Sequence, residues 1–260
     1  MANQFDIDIH ENIFEYIAFG NPMSELNIKT YHTLNGRQWK VYRDFLTELI
    51  KGMCEGSILY FDKYHHIDPW HPLTFNERCM YTLLSTSAAK ISPVIMSEVP
   101  LNRHKMKTSG YAKDGQPGRL DLWIHLNDNC DVVLELKRVS VGIKKINEKK
   151  PSKKFQSSWG RPAGVVAQAE ALTKQTKDWS DKIIRVGLLV VYGYASSKNA
   201  QKMPSDNECE DYRKILICHI QKLHPEPDWC TYWIPRQDMR KLDDQINPVI
   251  AIIAYIDKKT

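Results

Sequence analysis

The stretch Arg119-Leu-Asp-Leu-Trp-Ile-His-Leu126, followed by Asn127-Asp-Asn129 and then by Asp131-Val-Val-Leu-Glu-Leu-Lys137, decides the fold of this chain. Both longer segments alternate polar and apolar side chains, which is the pattern of a strand with two different faces. The asparagine and aspartate residues between them favour a tight turn. The sequence therefore predicts a β-hairpin in the middle of the chain.

The length of the turn determines which side chains of the hairpin face each other. A three-residue loop pairs Leu126 with Cys130, and the same count sets Asp121 opposite Glu135 on one face of the sheet. Their Cβ atoms would then lie about 5 Å apart. Lys137 follows two residues after Glu135 and points to the same side.

Two carboxylates this close repel each other, and a divalent cation relieves that repulsion. Mg²⁺ prefers oxygen ligands and keeps several waters, so it suits the predicted pair Asp121 and Glu135. Lys137 can contact a water or a phosphate oxygen nearby. Metal-assisted phosphodiester hydrolysis uses groups of these kinds. The alternative is a charged edge hairpin whose Glu135 and Lys137 are merely solvated.

Further elements on both sides of the hairpin indicate an α/β (α+β) protein with a central mixed sheet flanked by helices. A helix is expected from Arg37, with Gly56 as its stop, and a second one from Cys79 to Ala89, capped by Thr74 and Glu77. The apolar run inside Ile183 to Tyr192 is typical of a central strand covered on both faces. The other expected elements are the strand Pro93 to Val99, the helix Ala163 to Lys177, the helix Asp211 to Lys222, and the strands Trp229 to Ile234 and Val249 to Ile256.

The order of these elements and the segments Gly118-Arg119-Leu120-Asp121 and Leu134-Glu135-Leu136-Lys137 resemble the PD-(D/E)xK nuclease superfamily. Leu120 stands where many members have proline. The resemblance covers residues 74–192 and implies a restriction-endonuclease-like core there. Residues 1–73 would form a mostly helical N-terminal extension, and residues 193–260 a C-terminal helix and strands packed on the same core.

The resemblance also implies roles for single residues. Asp121, Glu135 and the backbone carbonyl of Leu136 would hold Mg²⁺, for which Mn²⁺ would substitute, and Lys137 would orient the attacking water. Members often add a third carboxylate, for which Glu77 and Glu98 are candidates. Glu77 could instead complete the capping box, and Glu98 could instead form a surface salt bridge.

Two further parts of the chain have a functional and a structural interpretation. Gln168 interrupts an apolar helix stripe, as does a glutamine near the site in many superfamily members, but it could equally be a satisfied core residue. Residues 138–161 read as a basic loop that either grips phosphates and stacks bases or is simply solvated. The expected nucleic-acid contacts are Arg119, Arg138, Lys144, Lys145, Lys149, Lys150, Lys153, Lys154, Trp159 and Arg161.

Composition excludes several other classes. The 260 residues carry a net charge of +5, which permits a polyanionic partner. No apolar run has the roughly 18 residues of a membrane span, and residues 1–10 are polar, so neither a membrane nor a secretory leader is expected. The six cysteines lack paired CxxC spacing, which favours a reducing cytoplasmic setting. A zinc site at His65, His66, Asp68 and His71 is disfavoured, because they lie in a proline-rich loop.

These features predict a Mg²⁺-dependent endonuclease acting on DNA, in a restriction or other defence setting. The chain lacks a P-loop, a GxSxG elbow and a dinucleotide fingerprint, which argues against ATP or serine hydrolysis. The expected partners are DNA and either a second copy of the chain or a protein of a defence or mobile-element system. The alternatives are a transposition or repair nuclease working with a partner, and a non-catalytic nucleic-acid-binding module on a nuclease core.

Overall fold

A mixed β-sheet runs through the molecule, and helices pack on both of its faces. The computed structural model describes residues 10–18, 21–32, 39–66, 72–75, 77–102, 117–126, 130–142, 183–196, 203–220, 223, 226–242 and 245–256. The strands are β1 (His10–Ala18), β2 (Asn21–His32), β3 (Ile95–Asn102), β4 (Pro117–Leu126), β5 (Cys130–Gly142), β6 (Ile183–Ser196), β7 (Trp229–Trp233), β8 (Lys241–Leu242), β9 (Gln245–Ile246) and β10 (Ile250–Ile256). The helices are α1 (Lys40–Tyr64), α2 (Pro72–Phe75), α3 (Glu77–Ile91) and α4 (Asp206–Ile220).

Eight of these strands lie side by side in the order β1-β2-β7-β10-β6-β5-β4-β3, and the short β8–β9 pair joins the end of β6. β5 and β6 run parallel, whereas the other neighbours on this path are antiparallel. This confirms the predicted mixed sheet with flanking helices. A parallel pair needs a crossover connection. The connecting residues 143–182, with the predicted helix Ala163 to Lys177, lie outside the described part of the chain.

One face of the sheet is covered by α1 and α3. Leu46 and Met53 of α1 and Leu84 of α3 pack in one cluster with Leu134 of β5 and Leu188 of β6. All five side chains are almost fully buried. Such a cluster is the main favourable term in the stability of a domain of this size.

The opposite face is covered over part of its width by α4. Leu216 of α4 packs with Val139 of β5, Leu189 of β6 and Ile253 of β10. Every residue of Ile183 to Tyr192 is buried, so the prediction of a central strand covered on both faces is confirmed. α4 does not cover the β4 end of this face, where the side chains are polar and aromatic.

The predicted stop at Gly56 is wrong, because α1 continues through it to Tyr64. A Cβ atom at Gly52 would lie 2.9 Å from the Cβ atom of Ser87 in α3. A Cβ atom at Gly56 would lie 2.9 Å from a methyl carbon of Leu83. Both glycines therefore allow α1 and α3 to approach closely, which is a packing role and not a helix-ending one.

Residues 1–73 contain a strand pair as well as α1. β1 pairs with β2, and β2 pairs with β7, with Ile28 opposite Trp233. The hydroxyl groups of Thr30 and Thr231 lie 3.2 Å apart across that pair. Strands of the one sheet thus come from all three predicted segments of the chain.

Candidate active site

The register of the β4–β5 hairpin brings the two motif segments together. Leu126 lies opposite Cys130, as predicted, and the ladder continues to Leu122 opposite Leu134. The same count sets Asp121 opposite Glu135, one step beyond the last pair of the ladder. At this step the side chain of Asp121, and not a backbone carbonyl of β4, accepts a hydrogen bond from β5.

The carboxylate of Asp121 is bonded to the backbone of the Glu-x-Lys segment. Its Oδ2 atom accepts a hydrogen bond from the N–H of Leu136, at 2.7 Å. In a strand the N–H and C=O of one residue point towards the same neighbouring strand, so the Leu136 carbonyl is also directed towards β4. Asp121 therefore lies against the peptide that separates Glu135 from Lys137.

Glu135 and Lys137 share the face of β5 that α1 and α3 do not cover. Glu135 is only 4% exposed, and its Oε2 atom is fully buried. Lys137 is partly exposed. Burying a carboxylate is costly unless charge or hydrogen bonds compensate for it.

Glu98 lies on the other side of Asp121. On β3, Ser97 pairs with Leu122 and Val99 pairs with Leu120, which sets Glu98 opposite Asp121. Its φ angle is +53°, in the left-handed region, and it is the only described non-glycine residue with a positive φ. That conformation costs an L-residue about 1–2 kcal/mol. Backbone strain of this kind clusters at functional sites.

A cleft of about 290 Å³ opens between α3 and the edge of the sheet, beside Asp121. The hydroxyl of Thr86 donates to the carbonyl of Thr82, at 2.9 Å, so its oxygen lone pairs remain for the cleft. Carboxylates of this kind attract cations and repel bare anions, and the hydroxyl groups can hydrogen-bond to water. The described lining residues are Tyr81, Thr82, Ser85, Thr86, Ser97, Glu98 and Asp121.

The described carboxylates do not form one compact metal cage. No group of three or more His, Cys, Asp or Glu side chains in the described ranges could hold a metal ion together. Glu135 and Lys137 are also absent from the described lining of the cleft. Asp121 therefore lies between Glu98 on the β3 side and Glu135 on the β5 side.

Several other predicted site residues lie partly or wholly outside the described part of the chain. Glu77 is the first residue of α3, and its side chain is not among those described. The predicted capping box is wrong, because Thr74 lies inside α2 and not at the start of α3. Gln168 and the basic segment fall in residues 143–182, which are not described. These include Lys144, Lys145, Lys149, Lys150, Lys153, Lys154, Trp159 and Arg161.

The two remaining arginines lie in strands. Arg119 belongs to β4, and its side chain is not described. Arg138 was predicted in the basic loop, and that is wrong, because β5 continues to Gly142 in parallel pairing with β6. Its guanidinium donates to the Thr74 carbonyl at 3.4 Å and lies 5.7 Å from the centre of the Tyr192 ring. These contacts tie Arg138 to the face covered by α1 and α3, opposite to Lys137.

The structure also reveals a hydrogen-bonded pair that the sequence analysis did not assign. His125 Nδ1 lies 2.8 Å from Asp131 Oδ1 across the hairpin. Asp131 lies on the face of Val133 and Glu135, and the predicted register already contained the pairing of His125 with Asp131. By contrast, His65 bonds to the Phe61 carbonyl of its own helix, and Asp68 and His71 of the disfavoured zinc cluster lie outside the described ranges.

No protein-family model matches this chain, and no curated protein or solved structure matches it. None of the described helices has the length and apolar character needed to cross a membrane. Function must therefore be inferred from the geometry and chemistry of the hairpin.

Proposed function

We propose that this protein is a Mg²⁺-dependent endonuclease that hydrolyses phosphodiester bonds in DNA, on a core similar to that of the PD-(D/E)xK superfamily. The observation that carries the proposal is the hydrogen bond from the Leu136 N–H to Asp121 Oδ2. This bond holds the Asp121 carboxylate against the peptide between Glu135 and Lys137. The proposal is supported because this bond joins Asp121 to a segment 15 residues later in the chain.

The donors present fit Mg²⁺. Asp121 and Glu135 supply carboxylate oxygens, and Leu136 supplies a carbonyl directed towards β4. Mg²⁺ is commonly held by one or two carboxylates and keeps several waters, so a cage of three acidic side chains is not required. When bound, the ion supplies Lewis-acid polarisation of the phosphate and lowers the pKa of a bound water.

The cleft also explains why a cation is needed. A phosphate that approaches Asp121 meets the carboxylates of Asp121 and Glu98, which repel it. These two carboxylates would attract a divalent ion, whose charge would offset that repulsion.

Lys137 and Glu98 are assigned separate tasks. Lys137 carries three N–H donors, is partly exposed and shares the face of Glu135. It orients the attacking water and neutralises negative charge that develops on the phosphate. Glu98 lines the same cleft as Asp121, which supports its assignment as the third carboxylate in place of Glu77.

DNA as the substrate is supported by the net charge of +5 and by the basic side chains of residues 143–161. A restriction or other defence role follows from the resemblance to the superfamily. The same residues would serve in transposition or repair with a partner protein. Where both strands of a duplex are cut, a second copy of the chain would cut the second strand.

The test is cleavage of plasmid, single-stranded DNA and RNA by the purified full chain, with Mg²⁺, with Mn²⁺ or with a chelator. We expect metal-dependent cleavage of DNA by the wild type and none by Asp121→Asn. Lys137→Ala should lower the cleavage rate by roughly 10²–10⁴-fold while its DNA affinity changes little. Lys241→Ala, which removes an exposed lysine of β8 outside the β4–β5 hairpin, is the matched control.

Three outcomes would contradict the proposal. One is a wild type that cuts no nucleic acid with either metal. Another is cleavage that persists in the chelator. The third is a Lys137→Ala variant that cuts at the wild-type rate. A wild type that binds DNA without cutting would favour the non-catalytic module.

A further inference from the structure

We propose that Glu98 is a positioning residue that acts through its backbone: its left-handed conformation reverses the faces of β3 and β4 and so places Asp121 in the cleft. Glu98 and Asp121 lie opposite each other in this pair of strands. The inference deepens the proposed function, and it rests on that function only for its effect on cleavage. It concerns the backbone of Glu98 and not its carboxylate.

β4 changes face between Leu120 and Leu122. In a regular strand, residues two apart lie on the same face. Leu122 packs in the cluster that contains the buried side chains of α1 and α3. Leu120 instead packs with Val133 and Trp123 on the opposite face. The strand therefore reverses its faces at the residue between them, which is Asp121.

β3 changes face at the same level. Ser97 pairs with Leu122, and Val99 pairs with Leu120. Ser97 lines the cleft beside α3, whereas Val99 packs against the cluster of Leu120 on the opposite face. The residue between them is Glu98, whose φ angle of +53° departs from the extended conformation of a strand. One left-handed residue thus lies at the point where both strands reverse.

The reversal determines where the Asp121 carboxylate lies. Regular alternation would place Asp121 on the face of Trp123. Instead, Asp121 lines the cleft together with Glu98 and side chains of α3. From there its Oδ2 atom accepts the hydrogen bond of the Leu136 N–H, and the Leu136 side chain also packs towards α1 and α3. The backbone of Glu98 therefore supports the bond that carries the proposed function.

Amino acids differ in how well they fit the left-handed conformation. Glycine adopts it freely, asparagine adopts it more readily than most residues, and β-branched residues strongly disfavour it. Proline cannot adopt it, because its ring fixes φ at about −65°. The amino acid at position 98 should therefore control the place of Asp121 even among variants that carry no charge there.

The experiment compares uncharged variants of Glu98 in the full chain, so that all of them lack the carboxylate. Glu98→Gly and Glu98→Asn permit the left-handed conformation, whereas Glu98→Val and Glu98→Pro oppose it. Leucine-selective isotope labelling follows hydrogen exchange of the Leu136 amide in chelator. Asp121→Ala gives the exchange rate in the absence of the bond. The Leu134 amide, in the intact ladder with β4, is the reference within the same strand.

We expect slow exchange of the Leu136 amide in the wild type, Glu98→Gly and Glu98→Asn. In Glu98→Val and Glu98→Pro this amide should exchange roughly 10- to 150-fold faster, the factor for losing a hydrogen bond to a charged group. The Leu134 amide should stay protected in every folded variant. With Mg²⁺ and DNA, Glu98→Val should cut roughly 100-fold more slowly than Glu98→Gly, because a displaced Asp121 no longer aligns the reacting groups.

Met96 provides a matched control on the same strand, because it is exposed and its φ angle is not positive. At a regular strand position valine is preferred over glycine. The melting temperature should therefore be higher for Met96→Val than for Met96→Gly, and lower for Glu98→Val than for Glu98→Gly. Both Met96 variants should keep the wild-type exchange rate of the Leu136 amide. If Glu98→Pro is unfolded, the comparison of Glu98→Val with Glu98→Gly decides.

Two results would overturn the positioning role of Glu98. One is equal exchange of the Leu136 amide in all the folded variants of Glu98. The other is a melting temperature that favours valine over glycine at position 98, as at position 96. Either result would mean that the two strands reverse their faces without the help of a left-handed residue.

Failure of the proposed nuclease looks different from failure of the positioning role. A wild type that never cuts DNA, with Leu136 exchange in the expected order, would retain the positioning role and reject the nuclease. Cleavage by the wild type, with equal Leu136 exchange in all the folded variants, would do the reverse.

Discussion

The β6–β10 pair and the β4–β5 hairpin belong to the same sheet, yet their sequences follow different rules. Every residue of Ile183 to Tyr192 and of Ile250 to Ile256 is buried, and almost all are apolar. The hairpin is equally apolar on the side of α1 and α3. Its other side carries Trp123, His125, Asp131, Glu135 and Lys137, and Asp121 lies in the cleft beside α3.

This difference in side-chain character between the two pairs of strands shows which residues the fold requires. The centre of the sheet shows that apolar side chains suffice to hold neighbouring strands together here. Glu135 is a buried carboxylate on the side of the hairpin that α1 and α3 do not cover. A charged residue at this place fits the proposed cation site.

The largest expected effect is a contrast between two nearly isosteric changes in adjacent strands. Leu188→Asn introduces an amide into the fully buried centre and should lower the free energy of unfolding by about 3–5 kcal/mol. Glu135→Gln keeps the size of the side chain and removes its charge, and it should lower the free energy of unfolding by less than Leu188→Asn does. Urea unfolding of both variants measures this. Similar losses in the two would mean that Glu135 is a packing residue.

A smaller effect is expected where α1 and α3 pack on the apolar side. Gly52→Ala places a Cβ atom against the Cβ atom of Ser87 and near its backbone, which cannot give way, so a loss of about 1–3 kcal/mol is expected. Gly56→Ala meets only the end of the Leu83 side chain, which can rotate. The gain in helix propensity should then leave Gly56→Ala near the wild type. Thermal unfolding that ranks the two variants the other way would refute this account of the helix contact.

The smallest effect concerns the strained backbone beside Asp121. Glu98→Gly suits a φ of +53° and should stabilise the protein by up to about 1 kcal/mol. Glu98→Gln keeps the strain and should leave stability unchanged. Both should reduce cleavage, because both remove the carboxylate. Full activity in either variant would return the third-carboxylate role to Glu77.

The parts of the fold that local sequence determines were predictable. The register of the hairpin followed from a three-residue turn and from alternation, and the central strand followed from its continuous apolar run. β2 was not predictable, because it is ordered by pairing with β7, about 200 residues later in the chain. Gly56 was misread because a glycine needed for close helix packing looks the same in sequence as a glycine that ends a helix.

The candidate site was predictable in composition but not in geometry. Asp121, Glu135 and Lys137 could be placed on one face by counting. The bond from Leu136 to Asp121 arises where the ladder stops, and the left-handed backbone of Glu98 depends on how β3 meets β4. The His125–Asp131 pair was present in the register, but the hydrogen bond between the two side chains depends on their orientation, which sequence spacing does not determine.

The most direct test of the central claim, that Asp121 and Glu135 form a cation site, is the thermal stability of the protein with and without Mg²⁺ or Mn²⁺. At a free cation concentration about 100 times Kd, binding to the native state adds about 2.7 kcal/mol of stability. The melting temperature of the wild type should rise by roughly 5–10 °C. Asp211→Asn, which alters an exposed carboxylate of α4, should show the same rise, and Asp121→Asn should show none. A rise in Asp121→Asn equal to that of the wild type, or no rise in the wild type, would contradict the account.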